Sequence, residues 1–599
     1  MNLKTQIKQE IEKLLKQSEL LKHDSLLETL ETPPNPEMGD IATNIAFSLA
    51  SKLGKSPVKI SEEIVEAIKV QKDSVIEKIE TKGGYINFFL NYEKVGEELL
   101  QTILKENEKY GSSDYGKGRK VLVEYSAPNP NKPQHIGHTR NNLIGMAINN
   151  IYGFAGFETH PVNWINDRGI HICKSLWGYL QFGKKGGSKE IGDWKKLLDE
   201  WYGNQDEWLT PKDLNKKPDY FVMDYYVKAA NLMEENKEYD EQNRELLQEW
   251  ENENPKVREL WKKMNSWAYE GWNDTYNRQG CIFEKYYYES DIYKRGKEIV
   301  FENMNNGVFF KSDEETIVAN LEKYGLPGLV VVRSDGTSLY PTADLVLTEE
   351  KVKDYSNAKL IWVVGGGQKL YFQQLFQICD LIGIVKKEKC YHLGYGMISL
   401  PEGKMSSREG KVVLADNLMN EIHSLVEKEI EKKNPELDEK KKYEIAEKIA
   451  LGAIKYGMLK IDAFKDFVFN INDAVNFEGN TGPYLQYAHV RADKILQKSG
   501  EFKETFQPKE LKSEEKILVK KLLEFPEVVE KAVKEYKPNL VANYGYDLAE
   551  TFNTFYHSCP VLQAKDEQTK NFRLTLVKSF KITLKNCLSL LGIETPEVM

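Results

Sequence analysis

The chain has 599 residues, 41% hydrophobic and 29% charged, a balance that fits globular folding and excludes disordered and fibrous classes. Lys+Arg 83 against Asp+Glu 92 leaves a net charge of -9, which excludes a uniformly basic nucleic-acid coat but leaves room for a local basic path. Six Cys, none in a C-x-x-C pair, argue against a disulfide framework and a structural zinc site.

At roughly 150 residues per domain the length predicts about four domains. The opening segment MNLKTQIKQEIEKLLKQSELLK is charged throughout and lacks the apolar core of a secretory signal. No stretch approaches the about 18 apolar residues that span a membrane, so the expected compartment is the cytoplasm. Residues 1–110 read as a separate α+β module. Ile7, Ile11, Leu14, Leu15 and Leu21 fall near helical spacing, Pro33, Pro34 and Pro36 break the chain, and a second helix is expected over residues 41–53. Residues 84–90 (GYINFFL) predict a strand, and residues 111–118 (GSSDYGKG) have the composition of a linker.

The character changes at residue 119. Val121-Leu122-Val123 predicts a buried parallel strand, followed by a Pro/Asn-rich loop and a helix carrying Leu143, Ala147 and Ile151 on one face. Strand, special loop, helix is how a doubly wound nucleotide-binding sheet begins. Further strands are expected at residues 160–164, 329–333, 360–364 and 411–414. The interval at about 183–285 holds seven of the ten Trp among dense charge and predicts a helical insertion packed through its aromatics. Beyond residue 417 the pattern is successive amphipathic helices. The expected fold class is therefore α/β: a doubly wound parallel-sheet (Rossmann-like) catalytic domain over 119–417 with a helical insertion. An α+β N-terminal domain (1–110) and an all-α C-terminal domain (418–599) flank it.

Two motifs carry chemistry. In PNPNKPQHIGH (residues 128–138), His135 and His138 stand three apart at a loop-to-helix junction, near the positive end of a helix dipole where anions bind. Both imidazoles can donate to phosphate oxygens, Lys132 adds a full charge, and Gly137 lets a ligand approach the backbone. Alone, such a pair reads first as structural histidines or half a metal site; the strand before it and the glycine inside it favour the anion reading. In EGKMSSREG (residues 402–410), the bland reading is a charged loop beside a strand, and the functional one a cationic clamp over a transferring phosphate.

Together the motifs resemble the signatures of class I aminoacyl-tRNA synthetases, and their surroundings resemble the arginyl-tRNA synthetase family. The match runs through VEYSAPNPNKPQHIGHTRNNLIG (123–145), VNWINDRG (162–169), RSDGTSLYPTADL (333–345), VVGGGQKLYFQQLF (363–376), GKMSSREG (403–410) and NFEGNTGPYLQYAHVRADKIL (476–496). GDIATNIA (39–46) and GGYINFFL (83–90) resemble that family's extra N-terminal domain. The resemblance implies an arginine-tRNA ligase that makes arginyl-adenylate from L-arginine and ATP, then passes the arginyl group to tRNA(Arg). It implies Mg2+ arriving with ATP and no dedicated protein metal site, a monomer, and no editing domain.

The resemblance also places the site. His135, His138, Lys132 and Lys404 are the expected catalytic residues. Pro128, Asn129, Lys132, His135, Gly137, His138, Met397, Lys404, Met405 and Ser406 are expected around ATP. The arginine pocket falls on Glu124, Asn129, Tyr340, Asp344 and Gln368. A guanidinium is planar and permanently charged, so the paired carboxylates Glu124 and Asp344 suit its fork, while Asn129 and Gln368 suit the α-amino and carboxylate ends. Tyr340 and Asp344, four apart, share a face if Pro341 opens a helix. For RNA the expectations are Tyr85 and Asn87 at the tRNA elbow, and Tyr484, Tyr487, Arg491, Asn553, Phe555 and Tyr556 at the anticodon. Aromatics at helical spacing are also what a core looks like.

Three other readings stand beside this one: another class I synthetase, an RNA-binding relative that kept the fold without activity, and a small adenylyl-transferring enzyme. The last leaves some 400 residues without a task, and the second is expected to have lost histidines or the loop lysine that are present here. The catalytic loop departs from the class pattern Lys-Met-Ser-Lys-Ser, having Ser407 and Arg408 where the second lysine would be. Lys132 and Lys404 are therefore expected to share the pyrophosphate charge. Lys132→Ala and Lys404→Ala are each expected to slow activation measured by pyrophosphate exchange; near-normal rates in both would refute the sharing.

Overall fold

The N-terminal strands form because short β-prone runs alternate with turn residues. In the computed structural model, which describes residues 3–21, 26–33, 35–187, 190–401 and 413–599, β1 (Leu30–Glu31), β2 (Ile41–Thr43), β3 (Ile76–Lys82) and β4 (Tyr85–Leu90) pair antiparallel in the order β1-β2-β4-β3. The β3–β4 hairpin turns on Gly83 and Gly84, at φ 61° and 91°, the positive pair that a two-residue turn requires.

The sequence predicts a self-standing module here, but the described residues 3–117 share one compact unit with residues 477–599. The reason is charge and amphipathicity. The amphipathic helix Leu3–Leu15 is tied to helix Ser513–Glu535 by Lys4 and Lys8, 2.6 and 2.7 Å from Glu527. Lys520 bonds Asp40 at 2.9 Å, and Tyr110 donates to the Leu522 carbonyl at 2.7 Å. The remaining helices of this unit are Gly482–Ser499, Pro538–Ser558 and Glu567–Leu590.

The second unit holds a five-stranded parallel sheet. Its strands are β5 (Lys120–Glu124), β6 (Glu158–Ile165), β7 (Lys285–Tyr288), and, after an antiparallel side sheet of β8 (Phe309–Lys311), β9 (Ile317–Ala319) and β10 (Leu329–Val332), β11 (Lys359–Gly365) and β12 (Cys390–Tyr395). The order β12-β11-β5-β6-β7 reverses direction at β5 and β11, which makes a crevice beyond their carboxyl ends. The expected strand over 329–333 forms, but as β10 in the side sheet. Of the strand expected over 411–414, residues 411 and 412 lie outside the described residues, and Leu414 makes a single bridge with His135. Strands β7 and β12 were not among the expectations, since Lys285–Tyr288 reads as the polar end of the insertion.

The insertion is helical, as expected, over Trp194–Gly203, Pro218–Glu235, Lys237–Glu251 and Pro255–Gln279. Trp177, Trp201, Trp208 and Trp250 build its core with helix Ile170–Phe182. Helices Ala415–Lys433 and Glu439–Leu459, assigned from sequence to the C-terminal domain, instead belong to the sheet-bearing unit, whose boundary falls at residues 476 and 477. Asp416 accepts from Lys217 (2.7 Å) and Thr275 (3.1 Å), and Glu447 from Arg278 (2.9 Å), so polar bonds to the insertion hold them there.

The helix that follows β5, Ile136–Phe154, packs against Tyr125 through Gly145, where an added Cβ would stand 2.2 Å from the ring's Cγ. Gly145→Ala is expected to lower stability by roughly 1–3 kcal/mol despite alanine's better helix propensity, read as a fall in Tm; an unchanged or higher Tm would refute the close packing.

Candidate active site

Beyond β5 the backbone enters the left-handed region at two non-glycine residues, Ser126 (φ 81°) and Ala127 (φ 49°). Such conformers cost on the order of 1–3 kcal/mol each and persist only when surroundings impose them. Here two asparagines do so. Asn141 accepts from the Ser126 amide (2.7 Å) while donating to the Val363 carbonyl (2.9 Å), and Asn163 accepts from the Ala127 amide (3.0 Å). Tyr276 closes the set through Ser126 (2.7 Å) and Asn163 (3.0 Å). The kink turns residues 128–135 over the crevice. Pro128 is buried and Asn129 partly so. Trp272 pins the loop by donating to the Lys132 carbonyl at 3.1 Å.

His135 and His138 stack with ring centroids 3.7 Å apart. His135 Nδ1 accepts from the amides of Gly137 (3.1 Å) and His138 (3.3 Å), and His138 Nδ1 accepts from the His135 amide (3.2 Å). With both Nδ1 atoms accepting, each neutral ring carries its proton on Nε2. Burial and the Lys132 ammonium push His135 down to about 4, and burial with the neighbouring charges of His135 and Lys132 pushes His138 well below its ordinary value. Two neutral N–H donors therefore face the crevice at physiological pH. At Gly137 an added Cβ would lie 3.0 Å from the His135 ring, so the glycine also makes room for the stacked imidazole.

Acidic groups cluster beside this motif. Glu124, at the end of β5, is buried and ion-paired with Lys351 of helix Tyr340–Asp354. Pro341 opens that helix as expected, and Asp344 one turn later accepts from the Tyr371 hydroxyl. Burial, with Glu124 close by, raises the Asp344 carboxyl to about 6. Glu289 is raised to about 7 by burial, against the Arg168 guanidinium 3.5 Å away and with Asp167 and Asp344 nearby. Asp167, raised to about 6 by burial, is held by the Ser290 amide (2.9 Å) and hydroxyl (2.8 Å).

Sequence reasoning thus brought Glu124 and Asp344 to one place, and missed Glu289, Lys351, Tyr371, Asp167 and Arg168. The spacing of Asp344 and Lys351, two helical turns, was a usable signal. Asp167, Arg168 and Tyr371 lie inside quoted stretches without an assigned role. Tyr340 is 78% exposed, and Gln368 is exposed as well. The phenol that meets Asp344 is that of Tyr371. Met397 is 75% exposed; its carbonyl is held by buried Arg140 at 3.2 Å. Lys404, Met405 and Ser406 lie outside the described residues. The chain following them joins the histidine motif directly, the Ile136 amide bonding Val413 (2.9 Å) and the Ala415 amide bonding Gln134 (2.8 Å).

In the other unit, five of the six expected anticodon residues meet. Asn553 donates to the Tyr484 hydroxyl (2.6 Å) and accepts from Arg491 (2.8 Å). Arg491 also donates to the Tyr487 hydroxyl (3.2 Å) and lies 5.9 Å from the Tyr556 ring. Phe555 is 0% exposed and belongs to the core, one position round the helix from the cluster. Tyr85 rests on Phe47 with centroids 5.1 Å apart and stays partly exposed, whereas Asn87 is 2% exposed and closed off from any partner.

Comparison with known proteins follows the same division. Residues 99–471 match the family model of tRNA synthetases class I (R), catalytic domain; residues 485–599 match the DALR anticodon binding domain; residues 1–90 match the arginyl tRNA synthetase N terminal domain. The chain is 38% identical to an arginine–tRNA ligase of Treponema denticola, over 95% of this chain and 94% of that one. It is 35% identical to one of Borrelia hermsii, over 99% and 98%. Among solved structures, the arginyl-tRNA synthetase of Thermus thermophilus superposes with a TM-score of 0.77 at 27% identity, covering 99% of this chain and all of that one.

The raised Asp344 has a consequence for stability. In an unfolded chain its carboxyl ionises near pH 4, in the fold only near 6, so it destabilises the fold increasingly between those values and fully above them. Asp344→Asn is expected to raise Tm at pH 8, the gain shrinking below pH 6 and vanishing towards pH 4; calorimetry of the free protein showing no gain at pH 8 would refute it.

Proposed function

This chain belongs to the class I arginyl-tRNA synthetase family, and from that premise we propose how its residues divide the work. It is an arginine–tRNA ligase. The arginine carboxylate attacks the α-phosphorus of ATP, pyrophosphate leaves, and a hydroxyl of the terminal tRNA adenosine then displaces AMP from the carbonyl carbon.

The reading rests on one observation: ionisable carboxylates enclosed at the carboxyl end of β5, beside two neutral imidazoles that donate only through Nε2. Glu124 already has a cation in Lys351. We assign the guanidinium to Asp344, whose carboxylate meets a hydroxyl, with Glu289 beside it, and the α-ammonium to Glu124 with Asn129. This amends the expectation that Glu124 and Asp344 grip the guanidinium together. His135 and His138 donate to phosphate oxygens, and Lys132 with Lys404 carries the pyrophosphate charge. The stabilisation is electrostatic, from donors held in place before charge develops.

Magnesium belongs in this reading to the nucleotide, since a hard cation bridges phosphate oxygens and keeps its waters. No group of three or more His, Cys, Asp or Glu placed to hold a metal occurs among the described residues. The Tyr484–Tyr487–Arg491–Asn553–Tyr556 cluster offers aromatic faces and a guanidinium to splayed anticodon bases, and Tyr85 offers a stacking face to the tRNA elbow. We read the working form as a cytoplasmic monomer; no described helix is long and apolar enough to cross a membrane.

Arginine-dependent pyrophosphate exchange, with and without tRNA(Arg), tests the whole; no exchange in either condition would overturn it. Glu289→Gln is expected to raise the arginine KM roughly 10- to 100-fold with a small change in the ATP KM. In the parent enzyme the arginine KM should rise as pH falls through 7 and 6, where Glu289 and then Asp344 take up protons. A KM flat across that window would refute the assignment.

A further inference from the structure

Lys351 is fully buried, and its ammonium meets the Glu124 carboxylate and lies over the Trp362 ring, 4.7 Å to the centroid. Neither Lys351 Nζ nor the Glu124 oxygen it meets has a hydrogen-bond partner of standard geometry among the described residues. A buried ion pair is rarely the most stable way to fill such a volume, because an apolar side chain avoids the desolvation of both charges. Lys351 therefore needs a reason other than stability. The reason lies in its position, two helical turns from Asp344 and against the strand end that opens into the crevice.

The groups around the pair narrow that reason. Asp344 faces it from the same helix, Tyr287 from β7, Cys379 from helix Lys369–Leu381 and Cys390 from β12. Burial keeps the phenol and both thiols protonated at neutral pH. Lys351 is thus the positive charge placed directly against Glu124, with Asp344 on the same helix. Without it the buried Glu124 carboxylate would stand near Asp344 with no ammonium against it, and like charges close together in a poorly solvated site oppose one another.

We propose that Lys351 is a positioning residue of the amino-acid pocket: its ammonium holds the Glu124 carboxylate charged and aimed in the empty enzyme, so that the α-ammonium of arginine meets a finished acceptor. It acts through Glu124 and touches no reacting atom. The substrate then displaces no proton and turns no side chain, which is where preorganisation gains affinity. The inference rests on the reading of this crevice as the arginine site.

The test is aminoacylation of tRNA(Arg) by the full-length enzyme, with arginine and ATP varied separately between pH 6 and 8.5, for Lys351→Met, Lys351→Arg, Glu124→Gln and the double variant Glu124→Gln/Lys351→Met. Lys351→Met is expected to raise the arginine KM roughly 10-fold or more at pH 7.5 and further at pH 6.5, with the ATP KM within about twofold. Lys351→Arg, which restores the charge, should return the arginine KM to within about threefold of the parent. In the Glu124→Gln background, removal of Lys351 should add nothing to the arginine KM. Equal rises in both KM values, no rescue by arginine, or additive effects in the double variant would each overturn the proposal. Should Lys351→Met fail to fold, the Lys351→Arg profile and the comparison of the double variant with Glu124→Gln decide it alone. If Glu124→Gln leaves the arginine KM unchanged, the reading of the pocket fails first and the proposal with it.

Discussion

An ionised carboxylate survives inside a protein only beside a matching charge or a set of donors, and the crevice at the end of β5 is arranged around that constraint. Glu124 has Lys351, Asp344 has the Tyr371 hydroxyl, Glu289 has Arg168, and Asp167 has Ser290. The partners come from different elements of the sheet-bearing unit, so the site exists only when the sheet, helix Tyr340–Asp354 and the start of the insertion are together. A cationic substrate completes the arrangement. A ligand with a compact ammonium in place of a guanidinium leaves acceptors unmatched, and pockets that select by such hydrogen bonds discriminate by roughly 10⁴–10⁵.

The two histidines illustrate how a local bond pattern sets chemistry. Because each Nδ1 accepts a backbone amide at the start of helix Ile136–Phe154, the helix is capped by the imidazoles themselves. Their remaining nitrogens can only donate, and the positive end of the helix, the burial and Lys132 all oppose protonation. The pair therefore presents hydrogen-bond donors of fixed sign to an anion, without the pH sensitivity that an ordinary histidine would bring.

How much of this was legible beforehand follows from range. The first strand, its special loop and its helix are local patterns, and they stand where periodicity placed them. The parallel sheet and the tryptophan-cored insertion were also readable, because apolar runs and clustered aromatics are themselves local. Glu124 and Asp344 were found through resemblance, and their convergence is a property of the sheet. Lys351 was not found, because a lysine in Glu349-Glu350-Lys351 reads as a solvated face; its burial depends on Trp362 and Glu124, distant in sequence. Asn87 and Phe555 failed in the opposite sense. Their types suit RNA, yet alternation along a strand and rotation round a helix turned them inward. The C-terminal boundary was misjudged because helix signals do not reveal which partner a helix packs on.

The unit built from both ends of the chain carries a consequence for biogenesis. Asp40 and Lys520 are 480 positions apart, and Lys4 reaches still further to Glu527. On a ribosome helix Leu3–Leu15 is made before helix Ser513–Glu535, so its amphipathic face waits for its cover while the intervening residues are synthesised. The order of synthesis and the order of assembly are therefore opposed at the amino terminus. Closure of that loop waits on residues 513–535, although its entropic cost grows only logarithmically with the length of the loop.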